Sequence, residues 1–226
     1  MKRPYNFQRP KDAAPKTWYK ITNLAADTAE VAIYDEIGYW GVTASDFMAE
    51  LAGADVKNLT LRINSPGGDV FDGLAILNSL RNHPAVVNVV VDGLAASAAS
   101  FIAMAGDKIE MSPNSMMMIH EASGLCMGNS QDMRELADLL DKTSANIADI
   151  YARRSGRPAE EHRAAMRNET WYSDQEAVDA GLADAVIGSE GTKNLTVTKI
   201  EMPGQDSWDD VFASWKNTDT LKGVHG

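Results

Sequence analysis

Four histidines and one serine set among alanines are the residues in this sequence best placed to do chemistry. Histidine is the usual general base near neutral pH. His83 stands just before a proline at the end of a helical stretch and reads as a cap. His162 lies in a charged helical stretch and reads as solvated, and His225 lies at the C-terminus. His120 closes "MMMIH" at the tip of an apolar strand, where α/β proteins place reactive groups. Ser97, in "DGLAASAASF", opens a small-residue helix directly after a buried strand. Each has a bland reading, His120 as a satisfied core histidine and Ser97 as small packing. Together they read differently, because a serine hydroxyl attacks only when a base takes its proton. His120 is the candidate base for Ser97.

The chemistry such a pair performs is acyl transfer, which builds negative charge on a carbonyl oxygen. Amides aimed at that oxygen stabilise it, each contributing on the order of 3 kcal/mol. The stretch "RINSPGGDVFDG" reads as a strand halted at two glycines before a helix begins. Without a Cβ, Gly67 and Gly68 let the backbone approach a substrate closely. The amides of Gly68 and Ala98 are the expected oxyanion donors, the latter at a helix N-terminus with free N–H groups.

The elements that would position these residues follow from patterning. Strands are expected around Val31 to Ile37, at Leu59 to Ile63, in "VVNVVV", and at "KIEM" and "MMMI". "TASDFMAELAGA" reads as a helix capped by Thr43 or Ser45 and stopped at Gly53, and "VFDGLAILNSLRNH" as a second one. Between Val86 and Ala105 the spacing predicts a buried strand, a turn at Asp92-Gly93 and a buried helix. This alternation argues for βαβ units around a mostly parallel sheet. Residues 131–155 form one long helix with Met133, Leu136, Leu140, Thr143, Ile147 and Ile150 on a single apolar stripe, which must be buried against something. "PAEEHRAAMRN" starts a short helix, and "SDQE" is a capping box before another that ends at Gly181.

Composition limits the rest. The 226 residues are 44% hydrophobic and 23% charged, as in one globular α/β domain with appendages. Twenty-one basic against 32 acidic residues leave a net charge of −11, which disfavours nucleic acid as a partner. The single Cys126 allows neither a disulfide nor a multi-thiolate metal site, and points to a reducing compartment. No cofactor or metal is expected, and no secretory signal or membrane span is read. Residues 1–16 read as a flexible arm, 17–188 as the folded domain and 189–226 as an extension. In that extension Trp208, Val211, Phe212 and Trp215 share one helical face, suited to a partner or to the chain's own domain.

"INSPGGDV", "GLAASAASF", "MSPNSMMMIHEA" and "ETWYSDQEAVDAGLAD", in this order, resemble the proteolytic subunit of the Clp protease over residues 29–187. The resemblance implies a crotonase-like α/β fold of repeated β-β-α spiral units, with a mostly parallel sheet and a projecting handle helix at 131–155. It implies a serine endopeptidase in which Ser97 is nucleophile, His120 base, and Gly68 and Ala98 the oxyanion donors. The family's aspartate falls on Glu169, a glutamate that orients a histidine equally well; Asp174 is the alternative acid. Substrate contacts are expected at Gly67, Asp69 and Val70, and along "SGLCMGN" at Gly124, Leu125 and Cys126, where an extended peptide would lie as an added strand. A homo-oligomeric ring is implied, stacked in pairs through the handle, acting on polypeptides in the cytoplasm.

The strand "EVAIYDEIGYW" and the C-terminal extension look more like phage-encoded relatives, which act in head maturation on scaffold and capsid proteins in the host cytoplasm. The alternative is a general proteolytic subunit with a separate ATPase, since no phosphate loop of the type GxxxxGK[ST] occurs here. An acyl-CoA enzyme of the crotonase type shares the fold but needs no serine-histidine pair. A non-catalytic ring subunit has only Glu169 in its favour. Self-cleavage within the tail is a further expectation.

Overall fold

The computed structural model describes residues 18–188 apart from 26 and 39–42. The N-terminal arm, the C-terminal extension and its aromatic face therefore lie outside the described residues. A first hairpin pairs β1 (Tyr19–Ala25) antiparallel to β2 (Thr28–Ile33). β1 is not foreseen by the sequence reading. It is held by Trp18 and Tyr19, both buried, whose rings lie 5.6 and 5.0 Å from that of Phe47. β2 also ends earlier than expected, at Ile33, because the chain must leave the sheet to reach the glycine loop: Ile37 pairs with Gly68 in an isolated parallel bridge.

From there the chain alternates. Helix α1 (Ala44–Ala52) begins at a Thr43–Asp46 capping box, and β3 (Asn58–Ser65) follows. Helix α2 (Val70–Asn82) is capped by Asp69, and β4 (Val86–Ala96) leads into the short helix α3 (Ala98–Ala103). Two four-residue strands, β5 (Lys108–Met111) and β6 (Met116–Ile119), precede the long helix α4 (Ser130–Ser155). Helix α5 (Ala159–Arg167), β7 (Thr170–Ser173), α6 (Asp174–Asp179) and β8 (Ala185–Val186) complete the described chain. The main path of the sheet runs β1-β2-β3-β4-β5-β8, parallel from β2 onward, while β6 pairs parallel with β4 and antiparallel with β7. Leu59, Leu61, Ile63, Val87, Val89 and Val91 are all buried, and because they alternate along β3 and β4 they form one buried face, while Thr60, Arg62, Asn88 and Val90 on the other are only partly covered. Among the described residues no helix is long and apolar enough to cross a membrane.

Three expectations need correction. Asp92-Gly93 is not a turn, since β4 continues through it to Ala96. Ile63 pairs with Val91 and Ser65 with Ala95, so three residues, Asp92 to Leu94, stand opposite Asn64 alone. This bulge bends β4 from one partner, β5, to another, β6, and so aims its tip at the site. Arg62 bonds the Asp92 carboxylate from Nε at 3.0 Å and from Nη2, which holds the bulge in place.

Secondly, α3 has only six residues, because the first part of the expected helix, Gly93 to Ala96, belongs to the strand. Thirdly, His162 is not solvated. It is buried on the face that α5 turns toward α4, with Nε2 2.6 Å from Ser155 Oγ, and burial lowers its pKa. His83 does act at a helix end, its Nδ1 accepting from the Ala85 amide at 3.1 Å.

The stripe on α4 divides in two. Thr143, Ile147 and Ile150 are buried against the domain, whereas Leu136 and Leu140 are only partly buried and Met133 stays about half exposed. The domain covers the second half of the stripe fully and the first half in part.

Candidate active site

Two abrupt changes of backbone direction bring the reactive side chains together. At the end of β4, Ser97 adopts φ 53°, ψ −123°, a conformation that costs a non-glycine residue roughly 1–3 kcal/mol. That kink lifts the side chain out of the sheet. The Ser97 amide is anchored to Met118 O (3.0 Å) on the neighbouring β6, whose own tip carries His120. The result is a Ser97 Oγ to His120 Nε2 hydrogen bond of 2.7 Å. With the serine donating, Nε2 is the acceptor and the ring proton sits on Nδ1. Burial lowers the His120 pKa and the Glu169 carboxylate partly opposes this. The imidazole is thus neutral, able to accept a proton, at neutral pH.

Gly67 (φ +94°) and Gly68 (φ +155°) are both required by the backbone path. A Cβ on Gly68 would lie 2.0 Å from Ile37 O, and one on Gly67 would lie 2.7 Å from Ala98 N and from Ser97 Cβ. The close approach that the glycines permit is therefore made by the protein's own chain. The Ile37–Gly68 bridge uses Gly67 O (2.8 Å) and the Asp69 amide (3.0 Å), and the Gly67 amide binds Ser65 Oγ (3.1 Å). Among the described residues, the amides of Gly68 and Ala98 have no acceptor within the protein. Both residues line the space beside Ser97 and His120.

Glu169 is less tightly engaged. It sits at φ +49° just past the end of α5, its amide bonded to Met166 O at 3.1 Å. Its charge acts on His120 through space, but among the described residues its carboxylate makes no hydrogen bond to that ring. The alternative acid is occupied elsewhere: Asp174 accepts from the Asn114 amide (2.7 Å) and the Gln175 amide (2.7 Å).

A cavity of about 160 Å³ opens beside Ser97, lined by Gly68, Val70, Ala98, Phe101, Ala122, Ile147 and other residues. Of the expected substrate contacts, Asp69 and Val70 line it, although the Asp69 carboxylate is consumed in capping α2. Gly67, Gly124, Leu125 and Cys126 do not line it, and the last three form no ladder among the described residues; Leu125 and Met127 project fully into solvent. The cavity takes Ala122 and Ser123 from that segment instead.

The sequence reading missed Ile147 and Tyr151 as wall residues. The available signal was their i, i+4 spacing on α4, one turn apart on one face.

Residues 13–190 match the family model described as Clp protease. The chain is similar to the ATP-dependent Clp protease proteolytic subunit of Deinococcus radiodurans, 35% identical over 150 residues, or 64% of this chain and 74% of that one. The protein of the same name from Streptococcus salivarius is 34% identical over 158 residues, covering 66% and 81%. That of Pleurastrum terricola is 36% identical over 138 residues, covering 60% and 70%.

Proposed function

This chain belongs to the Clp protease family and is a serine-type peptidase, and we propose that it cleaves polypeptides with Ser97 as nucleophile, His120 as general base and Glu169 as the charge that favours the imidazolium. The observation that carries the assignment is the 2.7 Å Ser97–His120 hydrogen bond made by a serine at positive φ. Ser97 Oγ attacks the scissile carbonyl carbon as its proton passes to His120 Nε2. The carbonyl oxygen, now an oxyanion, takes hydrogen bonds from the Gly68 and Ala98 amides. His120 then hands the proton to the leaving amine, and water hydrolyses the acyl-serine by the same steps in reverse order. Val70, Phe101, Ala122 and Ile147 around the cavity favour an apolar side chain next to the cleaved bond.

The relatives are named proteolytic subunits of an ATP-dependent protease. Those names favour the general reading, a subunit working with a separate ATPase, because these 226 residues carry no phosphate loop of the GxxxxGK[ST] type. A role in cutting scaffold or capsid proteins gains nothing from them. The exposed Leu125, Met127, Met133 and Leu139 favour assembly with further copies of the chain.

The test is hydrolysis of short fluorogenic peptides that differ only in the residue before the reporter. Leucine or methionine there should be cleaved well and aspartate poorly, with all turnover lost in Ser97→Ala. Turnover that survives in Ser97→Ala would overturn the assignment.

A further inference from the structure

Tyr151 and Ser100 are buried polar residues for which the chemistry above has no use. Tyr151 is 1% exposed and Ser100 0%, and their hydroxyl oxygens are 2.7 Å apart. Burial raises the Tyr151 pKa strongly, so its hydroxyl keeps its proton. Ser100 Oγ lies 2.5 Å from Ser97 O, which also accepts from the Ser100 amide at 3.0 Å. A carbonyl can only accept, so the Ser100 proton points to Ser97 O, and the Tyr151 proton must point to Ser100 Oγ. The chain of donors runs one way, from α4 to the carbonyl of the nucleophile.

That carbonyl belongs to the Ser97–Ala98 peptide, whose N–H is the amide of Ala98. Hydrogen bonds accepted at a peptide oxygen draw charge toward it and make the N–H of the same peptide a stronger donor. They also fix the plane of that peptide, and hence the direction of the N–H, at a residue whose φ is unfavourable. The geometry points to Tyr151 and Ser100 as positioning residues for the oxyanion donor: they orient and polarise the Ser97–Ala98 peptide from its carbonyl end. Ser144, one α4 residue that also touches the site, acts elsewhere; its Oγ takes the Ala122 amide at 3.0 Å and steadies the segment after His120.

The inference rests on Ser97 being the nucleophile, and the experiment separates the two. Tyr151→Phe keeps the ring that lines the cavity and removes only the hydroxyl. Ser100→Ala removes the link, and the double variant removes both. For each, kcat and KM for a cleaved peptide, the inhibition constant of a peptide boronate and the Tm are measured. The boronate forms a tetrahedral adduct on the serine and so reads the oxyanion contact.

Each single variant should lose about five- to tenfold in kcat and in boronate affinity together, with KM within about twofold of wild type. The double variant should lose no more than Ser100→Ala alone, because both act through one carbonyl. Unchanged kcat and boronate affinity, a rise in KM at constant kcat, or losses that multiply in the double variant would each overturn the inference while leaving Ser97 as nucleophile. Full activity in Ser97→Ala would remove the reading beneath it as well.

Discussion

His120→Ala should lower kcat for peptide hydrolysis by about 10⁵- to 10⁶-fold and leave KM within a few fold of wild type. The loss is large because the 2.7 Å hydrogen bond from Ser97 Oγ ends on the single nitrogen that can take its proton. KM should hold because the cavity walls, Val70, Phe101 and Ile147 among them, are untouched. The pH profile gives the same residue a second readout. His120 works only when neutral, and burial lowers its pKa below the ordinary histidine value of about 6.5. Wild-type kcat/KM should therefore fall on the acid side only as pH drops through that lowered value. Glu169 raises the His120 pKa, so Glu169→Gln should move the acid limb to still lower pH while reducing the plateau. A limb that moves to higher pH would contradict the place given to Glu169. Steady-state kinetics between pH 4.5 and 9, on the order of nine points, would decide both.

Gly68→Ala should cost about 10²- to 10³-fold in kcat, the loss expected for one oxyanion donor, and lower the Tm as well. The new methyl group cannot be accommodated: it would stand 2.0 Å from Ile37 O, on a residue at φ +155°. The loop must move off Ile37, and the Gly68 amide moves with it. Gly156→Ala is the control. Gly156 also has positive φ, +71°, but nothing lies within 4 Å of its missing Cβ. It should lose about 1 kcal/mol of stability through the left-handed backbone and no activity. Equal kinetic losses in the two variants would mean that general destabilisation, not the oxyanion contact, is being read.

These effects trace back to features that differ in how plainly the sequence displays them. Ser97 and His120 could be paired from the sequence, because each ends an apolar strand and one requires the other chemically. Helices α1 and α6 were legible through their caps, Thr43 and Ser173, each of which takes an amide three residues on, and α2 through the helical spacing of Val70, Leu74, Leu77 and Leu80. What failed was read from a local signal that a distant partner overrides. Asp92-Gly93 has turn chemistry, yet Arg62, thirty residues away, holds Asp92 in a bulged strand. His162 sits in a charged stretch, but α5 turns that residue inward onto Ser155. Tyr151 looks like one more apolar-stripe position, and only the fold shows its hydroxyl meeting Ser100, 51 residues earlier. Glu169 was placed by resemblance alone. The structure sets its charge near His120 without a hydrogen bond to that ring among the described residues.

The central claim is that Ser97 is an activated nucleophile. Labelling with a fluorophosphonate, read by intact mass, tests it most directly, because the reagent reacts with a serine whose proton is being removed and needs no particular peptide. Wild-type protein should gain one adduct per chain, Ser97→Ala none, and His120→Ala only at a rate lowered in step with its kcat. An adduct that persists in Ser97→Ala, or none on folded wild-type protein, would contradict the account.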